Sequence, residues 1–357
     1  MARAAEETER GGLGGLLITP SADLLYLCGY DPPLLPRLTC LVLRPGVDPV
    51  LLVPALERPR AMDSPAGSTL EIVDWPDGDD PYEHVARVVG DGGTYGIADR
   101  MWAVHVLGLQ RALREATFVP ASRVMAGLRA VKDREELGML SRAARGADAA
   151  FHTVLGRRME GLREEEVADT LADLLREGGH DVVTFTIVAS GPNGASPHHE
   201  PGGRPIREGD PVVLDFGGKV GGYCSDISRT VAVGRTRDRL IEVYDVVREA
   251  QEAAFQAVRP GVPAEEVDRA ARDVIERAGY GERFLHRTGH GIGLEEHENP
   301  YIVRGNTEAL RPGMCFSIEP GVYLEGEFGV RIEDIVTVTE DGAARLNRAS
   351  RDLETVG

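Results

Sequence analysis

The sequence is poor in several residue types that mark particular classes of protein. Its 357 residues include only 4 cysteines and 2 tryptophans. The cysteines, at positions 28, 40, 224 and 315, form no C-x-x-C pair and indicate reduced thiols, not a disulfide framework. The first residues, MARAAEETERGG, contain no apolar stretch of the kind found in signal peptides. We therefore expect a cytoplasmic protein.

Positive charge is also scarce. Lysine and arginine number 40 against 58 acidic residues, which gives a formal net charge of −18. Nucleic-acid binding and attachment to anionic membranes both depend on basic side chains, so this balance argues against either partner. No apolar run approaches the roughly 18 residues that a membrane-spanning helix needs.

The length and the hydrophobic patterning favour about two globular domains, at roughly 150 residues each. Residues 13–120 alternate strand-like and helix-like stretches, which predicts an α/β unit with a mixed sheet. We place the boundary near residue 122, giving domains 1–122 and 123–357. The predicted strands of the first domain are Leu16–Thr19, Leu38–Arg44, Pro49–Glu57, Leu70–Trp75 and Tyr95–Asp99. Its predicted helices are Pro81–Gly90 and Val104–Ala116.

The second domain contains an internal repeat at an offset of 100 residues. Residues 160–179 read EGLREEEVADTLADLLREGG and residues 260–279 read PGVPAEEVDRAARDVIERAG. Each copy has the features of a helix start, an amphipathic helix and a glycine stop. Two amphipathic helices could match by chance, but each copy also precedes a strand pair that carries carboxylates. This pattern predicts two related halves about a pseudo-twofold axis.

Both strand pairs bring acidic residues together. In a β-hairpin the facing residues share a constant index sum, and this rule places Asp215 opposite or nearly opposite Asp226, and Glu319 opposite Glu333. Like charges in such positions are destabilising, and their Val, Leu, Ile and Phe neighbours make an unpaired carboxylate costly. Solvated surface hairpins or shifted pKa values could explain one such pair. The occurrence of such an acidic pair in both related halves favours a cation site that the two pairs share.

Four carboxylates carry a charge of −4, which two divalent ions would neutralise. Oxygen ligands favour Mn, Mg, Fe or Co over a structural zinc cage. The segment LHRTGHGIGLEEHENP offers three histidines, one of which could complete the set: His286, His290 and His297.

These segments resemble the metallopeptidases of the methionine aminopeptidase, prolidase and aminopeptidase P family, which have a pita-bread fold. The matching motifs are LDFGGKVGGYCSDISRT, HRTGHGIGLEEHENP, SIEPGVY and GVRIEDIVTVTEDG. The resemblance implies that Asp226 and Glu333 bridge two metal ions, that Asp215 chelates one ion and that His290 and Glu319 bind the other. It further implies that His198, in ASPH, contacts the scissile carbonyl. The same resemblance gives His297 a role near the substrate and makes His286 and Arg331 substrate-binding residues. His199 falls where relatives often have glycine, and we expect it to be a neighbour without a catalytic role.

The first domain resembles the N-terminal domain of prolidases, aminopeptidases P and creatinases, through LLITPSADLLYLCGY and CLVLRPGVDPVLLVP. The expected fold is therefore an α/β N-terminal creatinase-like domain followed by an α+β pita-bread catalytic domain with a pseudo-twofold internal repeat. Methionine aminopeptidases normally lack the first domain, and creatinases lack the metal ligands, so the resemblance favours proline-directed relatives.

The expected activity is hydrolysis of the Xaa-Pro peptide bond, most simply in dipeptides. A metal-bridging hydroxide would attack, with Glu319 as general base and His198 stabilising the oxyanion. Three different functions stay open: an aminopeptidase P that acts on longer peptides, hydrolysis of another amide or a phosphoester, and an inactive pita-bread binding module.

The resemblance also implies a homodimer and two divalent metal ions. We expect these ions to be Mn²⁺ or Co²⁺, with Zn²⁺ or Fe²⁺ as the alternatives. The apolar, proline-rich loop 29–37 could cover the active site of a partner or pack within its own chain.

Overall fold

The computed structural model describes residues 1–90 and 92–357, and these form two compact units, Met1–Arg129 and Ala130–Gly357. The boundary predicted near residue 122 falls at the start of a helix, Ser122–Ala130, that runs into the second unit. Within the described residues, no helix combines the length and the apolar character needed to cross a bilayer.

The first unit is built on a mixed six-stranded sheet with the strand order β4-β3-β2-β1-β5-β6. Strand β1 pairs antiparallel with β2 and parallel with β5, which confirms the predicted mixed sheet. The strands are β1 (Gly15–Ile18), β2 (Cys40–Arg44), β3 (Val47–Pro54), β4 (Glu71–Trp75), β5 (Gly93–Ile97) and β6 (Ala116–Pro120). The edge strand β6 was not predicted, because its residues are all partly or fully exposed and show no buried run.

Short helices flank this sheet, and their ends follow ordinary capping chemistry. The Ser21 side chain accepts a hydrogen bond from Leu24 N at the start of α2, and Gly29 ends that helix in the left-handed region at φ 69°. The helices are α1 (Ala2–Arg10), α2 (Ala22–Cys28), α3 (Arg58–Asp63), α4 (Pro65–Thr69), α5 (Pro81–Val89), α6 (Ala103–Ala112) and α7 (Ser122–Ala130). A 3₁₀ turn, Ala55–Glu57, precedes α3.

The second unit contains four longer helices and three sheets. Its helices are α8 (Arg134–Leu155), α9 (Glu164–Glu177), α10 (Asp238–Ala257) and α11 (Ala264–Arg277). Helix α8 starts at a capping box formed by Asp133 and Glu136. The strands are β7 (Val182–Ser190), β8 (Pro211–Val220), β9 (Tyr223–Val233), β10 (Gly289–Gly291), β11 (Glu298–Ile302), β12 (Cys315–Ile318), β13 (Gly321–Leu324), β14 (Phe328–Arg331), β15 (Asp334–Val338), β16 (Ala343–Arg345) and β17 (Thr355–Val356), with 3₁₀ turns at Gly191–Ala195 and Gly281–Arg283.

Each half of this unit has its own helix pair, sheet and apolar core. Helices α8 and α9 share one core with β8 and β9, in the sheet ordered β17-β9-β8-β7. Helices α10 and α11 share another with the strands of the sheet ordered β11-β10-β12-β15-β16. The β13–β14 hairpin forms its own two-stranded sheet.

The internal repeat predicted from the sequence is present in the backbone. Helices α9 and α11 begin at Glu164 and Ala264, at the predicted offset. Their flanking glycines also match, with φ 86° at Gly161 against 83° at Gly261. These values lie in the left-handed region, where glycine carries no steric penalty. The same local geometry therefore frames both helices.

The two predicted hairpins differ in how closely they follow their expected register. In the second hairpin, Ile318 pairs with Asp334, so Glu319 and Glu333 flank a matched pair in the predicted register. In the first, Asp226 pairs with Gly217 and Asp215 pairs with Ser228.

Asp215 and Asp226 are therefore not directly opposite: the register differs by two residues, and they are diagonal neighbours, which is the nearly opposite arrangement that the sequence also allowed. The cause is a two-residue turn at Gly221 and Gly222, whose φ values of 55° and 86° suit a tight hairpin. The sequence favoured a wider turn, over residues 218–222, because Gly218 could also have belonged to it.

A candidate metal centre

The five predicted metal ligands come from both halves of the second unit. Asp215 lies on β8, Asp226 on β9 and His290 on β10. Glu319 directly follows β12, and Glu333 directly precedes β15. A backbone hydrogen bond from Glu333 N to Ser228 O at 3.0 Å holds the second hairpin against β9.

These side chains meet in one cavity of about 510 Å³. Ligand atoms of Asp226, His290 and Glu333 lie within 4.8 Å of one another, and all three residues are buried. His290 Nε2 lies 3.3 Å from Glu319 Oε1 and 3.9 Å from Asp226 Oδ2. All nine residues predicted from the sequence line this cavity, namely His198, Asp215, Asp226, His286, His290, His297, Glu319, Arg331 and Glu333.

The carboxylates are in an unfavourable electrostatic environment. Burial raises the pKa of Asp226 well above its ordinary value, and repulsion from Asp215 and Glu319 adds to the effect. Burial likewise raises the pKa of Glu333, with Asp226 as the main repelling group. The pKa of Glu319 rises to about 7, because burial outweighs the favourable charge of Arg331. Buried carboxylates in contact cannot all stay ionised unless a cation compensates their charge.

Three of the carboxylates also have an oxygen without a partner. Asp215 Oδ1, Asp226 Oδ1 and Glu333 Oε1 are buried and accept no hydrogen bond from residues 1–90 or 92–357. Buried polar atoms in native proteins are almost always satisfied, so orphans clustered in one cavity indicate a place for an ion. Oxygen-rich donor sets of this kind suit hard divalent cations. The residues present therefore fit a metal site.

His290 has the orientation of a metal-binding imidazole. Its Nδ1 lies 3.1 Å from Gly291 O, and since a carbonyl only accepts, Nδ1 carries the proton. Its Nε2 lone pair therefore faces the carboxylates. Burial, followed by the charge of His297, lowers the pKa of His290 to about 3, so the ring is neutral. Metal-binding histidines commonly donate their other N–H to a backbone carbonyl in this way.

Arg331 is buried and its guanidinium is engaged by the protein itself. It donates to Asp215 Oδ2 at 2.5 Å and to Ser228 Oγ at 2.8 Å. It also donates to Tyr323 OH at 2.9 Å and to Pro197 O at 3.3 Å. Arg331 therefore links Asp215 to Pro197, another residue that lines the cavity.

The remaining predicted histidines lie around the metal cluster. His286 Nδ1 donates to Arg287 O at 2.7 Å, so its Nε2 accepts from Tyr323 OH, also at 2.7 Å. Burial, reinforced by Arg331, lowers the pKa of His286 to about 4. The rings of His290 and His297 lie 3.9 Å apart between centroids. His198 lies on the cavity wall within a turn after the 3₁₀ segment Gly191–Ala195.

The sequence reasoning did not single out several residues of this cavity. Arg287 lines it and donates to His297 Nδ1 at 3.2 Å, and its guanidinium stacks on Tyr301 at 4.5 Å. Phe185 and Ile187 supply an apolar wall from β7. The two-residue spacing of Phe185 and Ile187 along a strand could have indicated a shared face.

The comparisons with known proteins identify the family of the chain. Residues 138–340 match metallopeptidase family M24, and residues 1–131 match the creatinase/prolidase N-terminal domain. The probable dipeptidase PepE of Mycobacterium tuberculosis is 46% identical over 359 residues, covering 100% of this chain and 96% of the relative. The Xaa-Pro dipeptidase of Lactobacillus helveticus is 38% identical, covering 95% of this chain and 94% of the relative.

The comparison with solved structures identifies the same family. The crystal structure of a recombinant prolidase from Thermococcus sibiricus superposes with a TM-score of 0.94 at 40% identity, covering 99% of this chain and 97% of that one. The family resemblance and the pita-bread fold class predicted from the motifs are thus confirmed. The chain belongs to metallopeptidase family M24 and carries a creatinase/prolidase N-terminal domain.

Proposed function

We propose that the protein is a dinuclear-metal hydrolase that cleaves the Xaa-Pro peptide bond, and specifically an Xaa-Pro dipeptidase. One observation carries the proposal: three buried carboxylates, the part-buried Glu319 and a neutral imidazole converge in a cavity, and three carboxylate oxygens there have no hydrogen-bond partner among the described residues. The name of the Lactobacillus helveticus relative supports the choice of substrate.

Two divalent ions would be held by the five predicted ligands: Asp215, Asp226, His290, Glu319 and Glu333. Such ions polarise a carbonyl oxygen and lower the pKa of a bound water towards neutrality. The physiological ions we propose are Mn²⁺ or Co²⁺.

The surrounding residues would then bind and orient the substrate and move protons. Glu319 is the proposed proton acceptor, and Ser317 Oγ donates to its Oε1 at 3.1 Å and so fixes its orientation. His198 is placed on the cavity wall, where its N–H could donate to the developing oxyanion. One such donor typically contributes about 3 kcal/mol to lowering the barrier.

The cavity also suits the product side of an Xaa-Pro dipeptide. Phe185 and Ile187 can pack against the proline ring, which has no N–H to satisfy. Arg287, beside His297, is positioned to pair with a free carboxylate, the group that guanidinium binds most specifically. A carboxylate directly after proline is what separates a dipeptide from a longer chain, so this arrangement favours the dipeptidase over aminopeptidase P.

The inactive module and the hydrolysis of a different bond have weaker support. A binding module without catalysis would have no reason to retain five suitable ligands with orphaned oxygens, and it is not favoured. Hydrolysis of another amide or of a phosphoester by the same ions is left as an outcome of the assay. The homodimer and the cytoplasmic location stay predictions.

The test is a bond-specific assay of the purified chain with Ala-Pro, Leu-Pro, Ala-Pro-Ala and Met-Ala, each with Mn²⁺, Co²⁺, Zn²⁺ or a chelator. We expect cleavage of the two dipeptides before proline, and loss of that activity with the chelator. Release of alanine from Ala-Pro-Ala at a higher rate would support the aminopeptidase. Full activity in a demonstrably metal-free sample would refute the metal mechanism.

A matched pair of variants distinguishes the loss of a metal ligand from the general effect of replacing a glutamate by glutamine. Glu333→Gln removes a buried ligand, whereas Glu340→Gln makes the same change at an exposed position. Only the first should abolish cleavage.

A further inference from the structure

A second buried carboxylate lies outside the metal ligands. Glu164, the first residue of α9, has a relative exposure of 0%. It accepts hydrogen bonds from Ser190 N and Ser190 Oγ, both at 2.7 Å, and from Asn193 Nδ2 at 3.0 Å. Its other oxygen, Oε2, accepts from His199 Nε2 at 2.8 Å.

These contacts indicate an ionised carboxylate with donors on every side. Burial alone would raise the pKa of Glu164, but the hydrogen bonds from Ser190, His199 and Asn193 outweigh it and the pKa is lowered. Its place at a helix N-terminus also favours a negative charge. Because an ionised carboxylate only accepts, the Nε2 atom of His199 must carry a proton. The partners of Glu164 are all donors, so it has the environment of a structural anchor and not that of a metal ligand.

The internal repeat supplies a comparison within the same chain. The position equivalent to Glu164 in the second copy is Ala264, which is also buried and also begins its helix. The next three residues, Glu-Glu-Val, are the same in both copies. The carboxylate is therefore not required to build this helix start, and it occurs in the copy whose following loop carries His198.

His199 belongs to the turn that presents His198. The backbone N of His199 donates to Ser196 O at 3.2 Å, which closes a four-residue turn with Pro197 in its second position, where proline is favoured. Pro197 and His198 line the cavity. Arg331 donates to Pro197 O on one side of His198, and the side chain of His199 is held by Glu164 on the other.

The turn needs such attachments because the chain around it has little regular structure. The 3₁₀ segment ends at Ala195, and β8 does not begin until Pro211. Between these points the backbone forms an isolated bridge from Arg163 to Pro205, and its hydrogen bonds to other segments begin at Gly202, whose O accepts from Glu165 N at 3.2 Å. The turn that carries His198 is therefore held to the rest of the fold by side-chain contacts at Pro197 and His199.

We propose that His199 is a positioning residue, which through its hydrogen bond to Glu164 holds the turn that aims His198 at the scissile carbonyl. This inference rests on the proposed function, because it assigns His198 a part in the reaction. It gives His199 a role that the sequence reasoning did not expect. A displacement of about 1 Å at a reacting group can lower the rate about a hundredfold.

The experiment measures kcat and KM for Ala-Pro hydrolysis by the Mn²⁺-loaded full chain, with His199→Leu, His199→Gln and the control His152→Leu, an exposed histidine on α8. The Leu side chain cannot donate to Glu164. A Gln amide extends to about the position of Nε2 and can. We expect His199→Leu to lower kcat about tenfold to a hundredfold with KM changed less than about threefold. His199→Gln should recover most of kcat, and His152→Leu should match the wild type.

A double variant tests the route through Glu164. If His199 acts through this carboxylate, His199→Leu combined with Glu164→Gln should lose little more kcat than the larger single loss. Thermal unfolding of each variant shows whether the fold is intact. Should His199→Leu not fold, His199→Asn replaces it, because its shorter amide cannot reach Glu164.

Several results would overturn the inference. These are an unchanged kcat in His199→Leu, an equal loss in His199→Leu and His199→Gln, or fully additive losses in the double variant. Each would leave the proposed function intact as long as the wild type cleaves Ala-Pro. If the wild-type chain cleaves no Xaa-Pro bond, the proposed function itself fails.

Discussion

Adding a divalent ion to the chelator-treated protein should raise its thermal stability by a large amount. In the ion-free chain, Asp226, Glu319 and Glu333 are buried close together, and burial raises the pKa of each. A bound cation would satisfy the orphaned oxygens of Asp215, Asp226 and Glu333 and reduce the repulsion between the carboxylates. An ion at this site would bind the folded chain far better than the unfolded one, because the proposed ligands lie up to more than a hundred residues apart in the sequence.

Two estimates give the expected size of the stabilisation: the cost of ionising one buried carboxyl, and the free energy of saturating the sites with ions. Burial raises the pKa of Glu319 from 4.5 to about 7, which corresponds to roughly 3 kcal/mol for ionising this one carboxyl in the folded chain. Ligand saturation at about a hundred times Kd stabilises the fold by about 2.7 kcal/mol per site. Two sites would then contribute about 5 kcal/mol. For a unit of this size each kcal/mol shifts Tm by roughly 2–4 °C, so we expect a rise of about 10–20 °C.

The assay is thermal unfolding followed by circular dichroism, in chelator and then with increasing Mn²⁺, Co²⁺ or Mg²⁺. Glu333→Gln should lose most of the shift, whereas Glu340→Gln should retain it. An equal shift in the wild type and in Glu333→Gln would mean that the ions bind elsewhere. A wild-type shift below about 2 °C at saturating Mn²⁺ would refute the reasoning from buried charge.

Three further predictions concern single residues. Glu319→Gln should keep the fold and lower kcat about 10²–10⁴-fold, as expected for a lost general base, and a near-wild-type kcat would remove that role. Arg229→Met should lower the free energy of unfolding by about 3 kcal/mol in urea titration. It breaks a buried pair with Asp334 at 2.6 Å, but two other arginines still contact this carboxylate, so we take the lower end of the usual range. The fold lowers the pKa of Glu164, so the stability that its ionised form contributes is present above pH 4.5 and is lost as the pH falls through its lower folded value. The advantage of the wild type over Glu164→Gln in urea should therefore shrink between pH 6 and pH 3, and a constant difference would contradict it.

The local parts of the site were predictable because they depend on short-range rules. Strand pairing through a tight turn fixes which residues face each other, so the Glu319–Glu333 hairpin has its predicted register. The 100-residue repeat was visible because glycines with positive φ recur at both ends of each helix copy, including Gly179 and Gly279 at φ 93° and 84°. The two-residue error at Asp215 arose because adjacent glycines allow more than one turn.

The sequence by itself determined that two acid-bearing hairpins and a histidine segment exist, because turn geometry and side-chain alternation act within a few residues. Only the tertiary structure decided how these pieces meet. The link from Glu333 to Ser228, the pairing of Arg331 with Asp215 and the bond between His199 and Glu164 join residues 35 to 116 positions apart. No local pattern specifies such contacts. They follow from the packing of two cores, which brings the sheets together and leaves the charged side chains in one shared cavity.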